Sequence, residues 1–88
     1  MKHILNEAIN TFGEDMQLNV AVEEFSELTK EICKYKRGAD NKQNIIEEMA
    51  DCRIMLEQMK IIFGINDISL SREIHRKIER LKNTLTKN

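Results

Sequence analysis

The sequence predicts an all-α fold, a four-helix-type bundle formed by one domain over residues 1–88. Three observations carry this. The chain has no proline and only three glycines, and it is rich in Leu, Ile, Glu, Lys and Met, a composition that favours helix throughout. Apolar residues recur at helical spacing in four successive runs. Short joints with glycine or capping residues separate the runs. At 88 residues the chain is long enough for one compact domain and too short for two. A domain of this size buries only roughly 60–65% of its unfolded surface, so its stability is modest.

The first run holds Ile4, Leu5, Ala8, Ile9 and Phe12, and Gly13 closes it. The second holds Leu18, Ala21, Val22, Phe25, Leu28, Ile32 and Tyr35, and stops near Arg37-Gly38, where glycine suits a helix end. In the polar joint GADNKQN, Asp40, Asn41 and Asn44 are all candidate N-caps. Asn44 with Glu47 resembles a capping box. The third run holds Ile45, Met49, Cys52, Leu56, Met59 and Phe63, and Gly64 ends it. Asp67 and Ser69 are candidate caps for the fourth, which holds Leu70, Ile74, Ile78, Leu81 and Leu85. The last few residues, through Asn88, are polar and expected to fray. The joint of about seven residues between helices two and three makes them antiparallel neighbours. The five methionines are expected mostly in the core.

Charge and cysteine content narrow the function. Fourteen basic and fifteen acidic residues leave a net charge of −1, against the basic excess of a general nucleic-acid binder. No apolar run approaches the roughly 20 residues of a membrane span, and the N-terminus lacks a signal peptide's apolar core. Cys33 and Cys52 show neither a CxxC nor a scaffold pattern, and read as reduced thiols of a cytoplasmic protein. His3 and His75 have no partner spacing and read as surface residues. Residues 40–51 have the length of an EF-hand loop, but Lys42 takes a ligand position and Ile45 the place of the required glycine, which excludes it.

The chemistry lies in two stretches, EEFSE at 23–27 and EEMAD at 47–51. Residues three apart on a helix sit about 60° apart around the axis, so Glu24 and Glu27 share a face, as do Glu48 and Asp51. Each pair borders an apolar stripe. On antiparallel helices the four carboxylates can face one another. Two negative charges about 5 Å apart repel by roughly 3 kcal/mol at an effective dielectric near 20. Protonation or a divalent cation offsets such repulsion. Oxygen ligands without His or Cys suit Mg²⁺ or Mn²⁺ rather than Zn²⁺. Magnesium held in this way keeps positions for water and phosphate. The competing account is a solvated acidic face, which serves for one EExxE but less well for two copies on successive helices.

EExxE, a gap of 20 residues, then ExxD resembles the signature of the MazG-like nucleoside triphosphate pyrophosphohydrolases, of the all-α NTP pyrophosphatase superfamily. AVEEFSELTKEICKYKRG is similar to that family's first motif helix and NIIEEMADCRIMLEQM to its second; together they cover about residues 18–60. The resemblance implies hydrolysis between the α and β phosphates to monophosphate and pyrophosphate. It implies Glu24, Glu27, Glu48 and Asp51 as magnesium ligands, with Mn²⁺ as a possible substitute. Glu23 and Glu47 match the accompanying acids that orient a ligand or the attacking water. RKIERLK on the fourth helix is similar to a phosphate-holding stretch: Lys77 matches the family's lysine, while Leu81 falls where an arginine is usual and Arg80 stands one position early. A charged, solvated face is the alternative for Lys77 and Arg80, and Lys34, Lys36 and Arg37 suit the helix C-terminus. Compact members of the family assemble as dimers or tetramers, so a homodimer or homotetramer is expected. Two rival functions remain, a phosphoribosyl-ATP pyrophosphohydrolase-like enzyme and a non-catalytic helical interaction or regulatory module. The preferred base is not encoded in any motif.

Overall fold

The computed structural model of the chain describes residues 1–87. Four helices follow one another, with no strand among the described residues: α1 (Lys2–Phe12), α2 (Glu14–Lys36), α3 (Lys42–Phe63) and α4 (Asp67–Thr86). Asn88, part of the end expected to fray, lies outside the described residues, and helix continues to Thr86.

The joints are where turn chemistry placed them, with different caps. Gly13 (φ 92°) is the whole link between α1 and α2. Gly38 (φ 102°) ends α2, and the Ala39 N–H donates back to the Lys34 carbonyl at 3.0 Å. Gly64 closes α3 in the left-handed conformation, which costs glycine nothing sterically. The Asn44–Glu47 capping box does not form, because α3 already begins at Lys42. Asn66, rather than Asp67 or Ser69, caps α4: its Oδ1 accepts from the Ser69 N–H at 2.7 Å. Asn66 is extended at the N-cap position, which aims its side chain at that amide.

The α2–α3 pair is an antiparallel hairpin and the main packed unit, with α1 against both helices. Its seam follows alternating steps of three and four residues: Gln17, Ala21, Glu24, Leu28 and Glu31 on α2, and Ile45, Glu48, Cys52, Met55 and Ile62 among those on α3. These positions are all buried or half-buried, as are the neighbouring Leu18, Val20, Phe25 and Glu27 of α2. The Cys52 Sγ donates to the Glu24 carbonyl at 3.4 Å across the pair. Gln17 of α2 and Gln58 of α3 are also buried.

The expected apolar runs coincide with this seam only in part: Ala21, Leu28, Ile45 and Cys52 lie on it, while other members of the runs stand beside it. Val22, Ile32 and Tyr35 of α2 and Met49, Leu56 and Phe63 of α3 are exposed in the single chain, as are Ile4 and Phe12. The methionines divide likewise, Met55 buried and Met1, Met16 and Met49 exposed. The reason is geometric. In an antiparallel pair, the residues following each seam position turn to one side of the hairpin, and the residues preceding it turn to the other. α1 covers the preceding side at one end, where Leu5 and Ile61 line one cavity. The following side is largely open, with Leu18 and Phe25 half-buried on it.

α4 leaves the hairpin through a three-residue joint. Lys60 pairs with Glu57 one turn back on α3 and, across the joint, with Asp67. α4 packs on no other helix and buries no residue. The radius of gyration, 16.2 Å, exceeds the roughly 12 Å of a compact chain of this length. No described helix is long and apolar enough to cross a membrane.

Candidate metal centre

The hairpin brings three of the four expected ligands together. One carboxylate oxygen from each of Glu24, Glu48 and Asp51 lies within 4.8 Å of the others. Glu24 and Glu48 occupy seam positions and are half-buried. Asp51 precedes a seam position, so it stands at the cluster's outer edge and is exposed. Glu27 also precedes a seam position. Its Oε1 is 3.5 Å from the Lys30 Nζ, outside the group of three, yet its charge is felt at both Glu24 and Glu48.

The acids suppress one another's ionisation. A hydrogen bond shared with Asp51 raises the Glu24 carboxyl above its ordinary pKa, and burial and the charges of Asp51, Glu48 and Glu27 raise it further. Burial raises Glu48, followed by the charges of Asp51, Glu27, Glu31 and Glu47. The buried Glu48 Oε2 has no hydrogen-bond partner. An acceptor in that state is costly unless a proton or cation occupies it. Burial and the same acids push the Cys52 thiol up, so it stays protonated beneath the cluster. Cys33 and Cys52 are both free thiols.

Glu23 and Glu47 lie outside the group of three and are exposed. Both precede a seam position, so they flank the cluster on the same side of the hairpin as Glu27 and Asp51. Lys77 and Arg80 are exposed on α4 and form no ion pair among the described residues. Because α4 packs on no other helix, one chain does not bring them to the acids. His3 and His75 are exposed, as expected.

Glu31 and Asn41 are the partners that sequence inspection missed. Glu31 is buried at the joint end of the seam. The Asn41 Nδ2 donates to its carbonyl at 2.9 Å and to its Oε1 at 2.8 Å, and the Lys34 Nζ donates to its Oε2 at 3.1 Å. These hydrogen bonds hold the Glu31 carboxyl below its ordinary pKa, first through Asn41 and then through Lys34. A signal was present: Glu31 follows Glu24 by seven residues and so takes the equivalent place in the seam. Thus an ionised, fully bonded carboxylate closes the hairpin, while Glu24 and Glu48 lack such partners. No family model matches the sequence, and no curated protein or solved structure is significantly similar to it.

Proposed function

We propose that the chain is a magnesium-dependent nucleoside triphosphate pyrophosphohydrolase, which cleaves between the α and β phosphates and releases monophosphate and pyrophosphate. The observation that carries the reading is the convergence of Glu24, Glu48 and Asp51 from two helices onto one point, with the Glu48 Oε2 buried and unpartnered. The donor set fits a hard divalent cation, since it offers oxygens alone and no His or thiolate. Glu24, Glu48 and Asp51 would hold Mg²⁺, or Mn²⁺ in its place, and Glu27, outside the group of three, would be a fourth ligand. When bound, the ion neutralises triphosphate charge, polarises the scissile phosphoryl group and acidifies a water.

The chain's own residues supply the rest. The hairpin seam fixes Glu24 and Glu48, so the ligands are preorganised on rigid helices. Glu23 and Glu47, exposed on the flank of the cluster, orient the attacking water and accept its proton. Lys77 and Arg80 would hold phosphate oxygens where assembly brings an α4 to the cluster, since within one chain α4 packs on no other helix. The active form is a homodimer or homotetramer, and the compartment is the cytoplasm.

A panel of canonical and modified nucleotides with Mg²⁺, assayed for both pyrophosphate and orthophosphate, tests the reading. Pyrophosphate with monophosphate, lost on chelation and in Glu48→Gln, is the expected result. Orthophosphate alone would mean that a different bond is cleaved. No product with any nucleotide or metal would defeat the enzymatic reading.

A further inference from the structure

Glu31 and Asn41 repeat the placing of the acidic cluster one step along the hairpin. Glu31 follows Glu24 by seven residues on α2, and Asn41 precedes Glu48 by seven residues at the start of α3. Seven residues are two turns, about 10.5 Å of helix, and return a side chain to nearly the same face. On antiparallel helices both steps lead toward the joint. A contact that sets Asn41 opposite Glu31 therefore also sets Glu48 opposite Glu24. The Asn41 Nδ2 donates to the Glu31 carbonyl at 2.9 Å and to its Oε1 at 2.8 Å, so it holds backbone and side chain together. The Lys34 Nζ donates to the remaining oxygen, Oε2, at 3.1 Å. Glu31 is buried, and both of its carboxylate oxygens are engaged. Asn41 is the N-cap of α3, yet its side chain makes no capping hydrogen bond. A residue type suited to capping its own helix is turned across the hairpin instead.

We propose, on the basis of the cation site put forward above, that Glu31 and Asn41 are positioning residues for it: their hydrogen bonds hold the register of α2 against α3 that keeps Glu24 facing Glu48 and Asp51. A slip of one residue moves a helix by about 1.5 Å along its axis and turns the contact by about 100°. Metal–oxygen distances tolerate only about 0.2 Å, so such a slip dismantles the site. Glu31 is close enough for its charge to be felt at Glu48, but with both oxygens bonded it is not a ligand itself. It acts on the centre through the two helices.

Binding of Mn²⁺ alone to the full chain, followed by electron paramagnetic resonance, tests this apart from turnover. Circular dichroism first establishes that each variant is helical. Asn41→Ala and Glu31→Ala should bind Mn²⁺ roughly 10–100-fold more weakly than the parent, the loss usual when groups supporting metal ligands are removed. Glu31→Gln keeps an oxygen for the Asn41 amide and should stay within about threefold of the parent. Leu5→Ala opens the core beneath α1 and destabilises the fold away from the acids, and it too should stay within about threefold. Should Asn41→Ala lose helicity, Asn41→Ser takes its place with the same loss expected, since serine caps α3 but falls short of Glu31. Unchanged affinity in the Asn41 variant would overturn the proposal and leave the contact a fastening of the joint. Glu31→Gln as weak as Glu31→Ala would also overturn it, because charge rather than register would then govern binding. An equal loss in Leu5→Ala would do the same, by showing a general effect of stability. A parent that binds no Mn²⁺ would instead sink the cation site, and the positioning role with it.

Discussion

Replacing Glu24 by Gln separates an electrostatic cluster from an ordinary helix surface. Its carboxylate oxygen lies within 4.8 Å of oxygens from Glu48 and Asp51. Two unit charges at that distance repel by about 3.5 kcal/mol at an effective dielectric of 20. Glu24 is only half-buried and Asp51 is exposed, so solvent screens most of this, and measured exposed pairs are worth about 0.2–1 kcal/mol. Glu24→Gln keeps the shape and removes the charge. It should therefore stabilise the metal-free protein by about 1 kcal/mol, or about 4–8 °C in Tm for a domain of this size. With saturating Mg²⁺ the order should reverse. A cation at a hundred times its Kd stabilises the parent by about 2.7 kcal/mol, and the variant should lose most of that gain and its turnover. The assay is urea unfolding followed by circular dichroism, at fixed protein concentration, with Mg²⁺ or EDTA. A metal-free Glu24→Gln that is less stable than the parent, or that gains as much from Mg²⁺, would refute the reasoning.

Three further outcomes follow from the same geometry. Asn41→Ala removes two hydrogen bonds from the buried Glu31 and should lower stability by about 1–3 kcal/mol in urea unfolding; no change would mean that the joint is held elsewhere. Gln58→Met should be neutral or stabilising by up to about 1 kcal/mol, since the buried Gln58 Oε1 has no partner and methionine keeps the volume; a loss above about 1 kcal/mol would show that the amide is satisfied. Lys60 holds the Asp67 carboxyl below its ordinary pKa, so this pair contributes stability above about pH 3.9 that is lost as pH falls through the depressed value. Asp67→Asn should flatten that acid limb in a pH series of thermal melts, and an unaltered limb would contradict the assignment.

Much of the architecture was readable in the residues. The absence of proline and the placing of Gly13, Gly38 and Gly64 are local matters, settled by backbone sterics within a turn or two, and they delimit four helices. The short joint after Arg37 requires α2 and α3 to run antiparallel. The spacing of Glu24, Glu48 and Asp51 brought them to facing helices, and they do converge. Caps were less legible. Asn41, Asn44, Asn66 and Asp67 all have suitable side chains, and which one caps depends on where the chain bends. Asn41, the N-cap of α3, bonds Glu31 instead, a partner ten residues away.

The sequence by itself determined the helices, because periodicity and turn residues act over one or two turns. Only the tertiary structure decided which of two adjacent faces became the seam. A rotation of one residue, about 100°, exchanges Glu24 and Glu48 with Phe25 and Met49 at the contact. Apolar content favours the second arrangement, yet the chain places carboxylates inside and leaves Val22, Met49 and Leu56 outside. α1 packs against both helices of the hairpin, and α4 stands clear of it. Both are relations between distant residues, which local spacing does not encode.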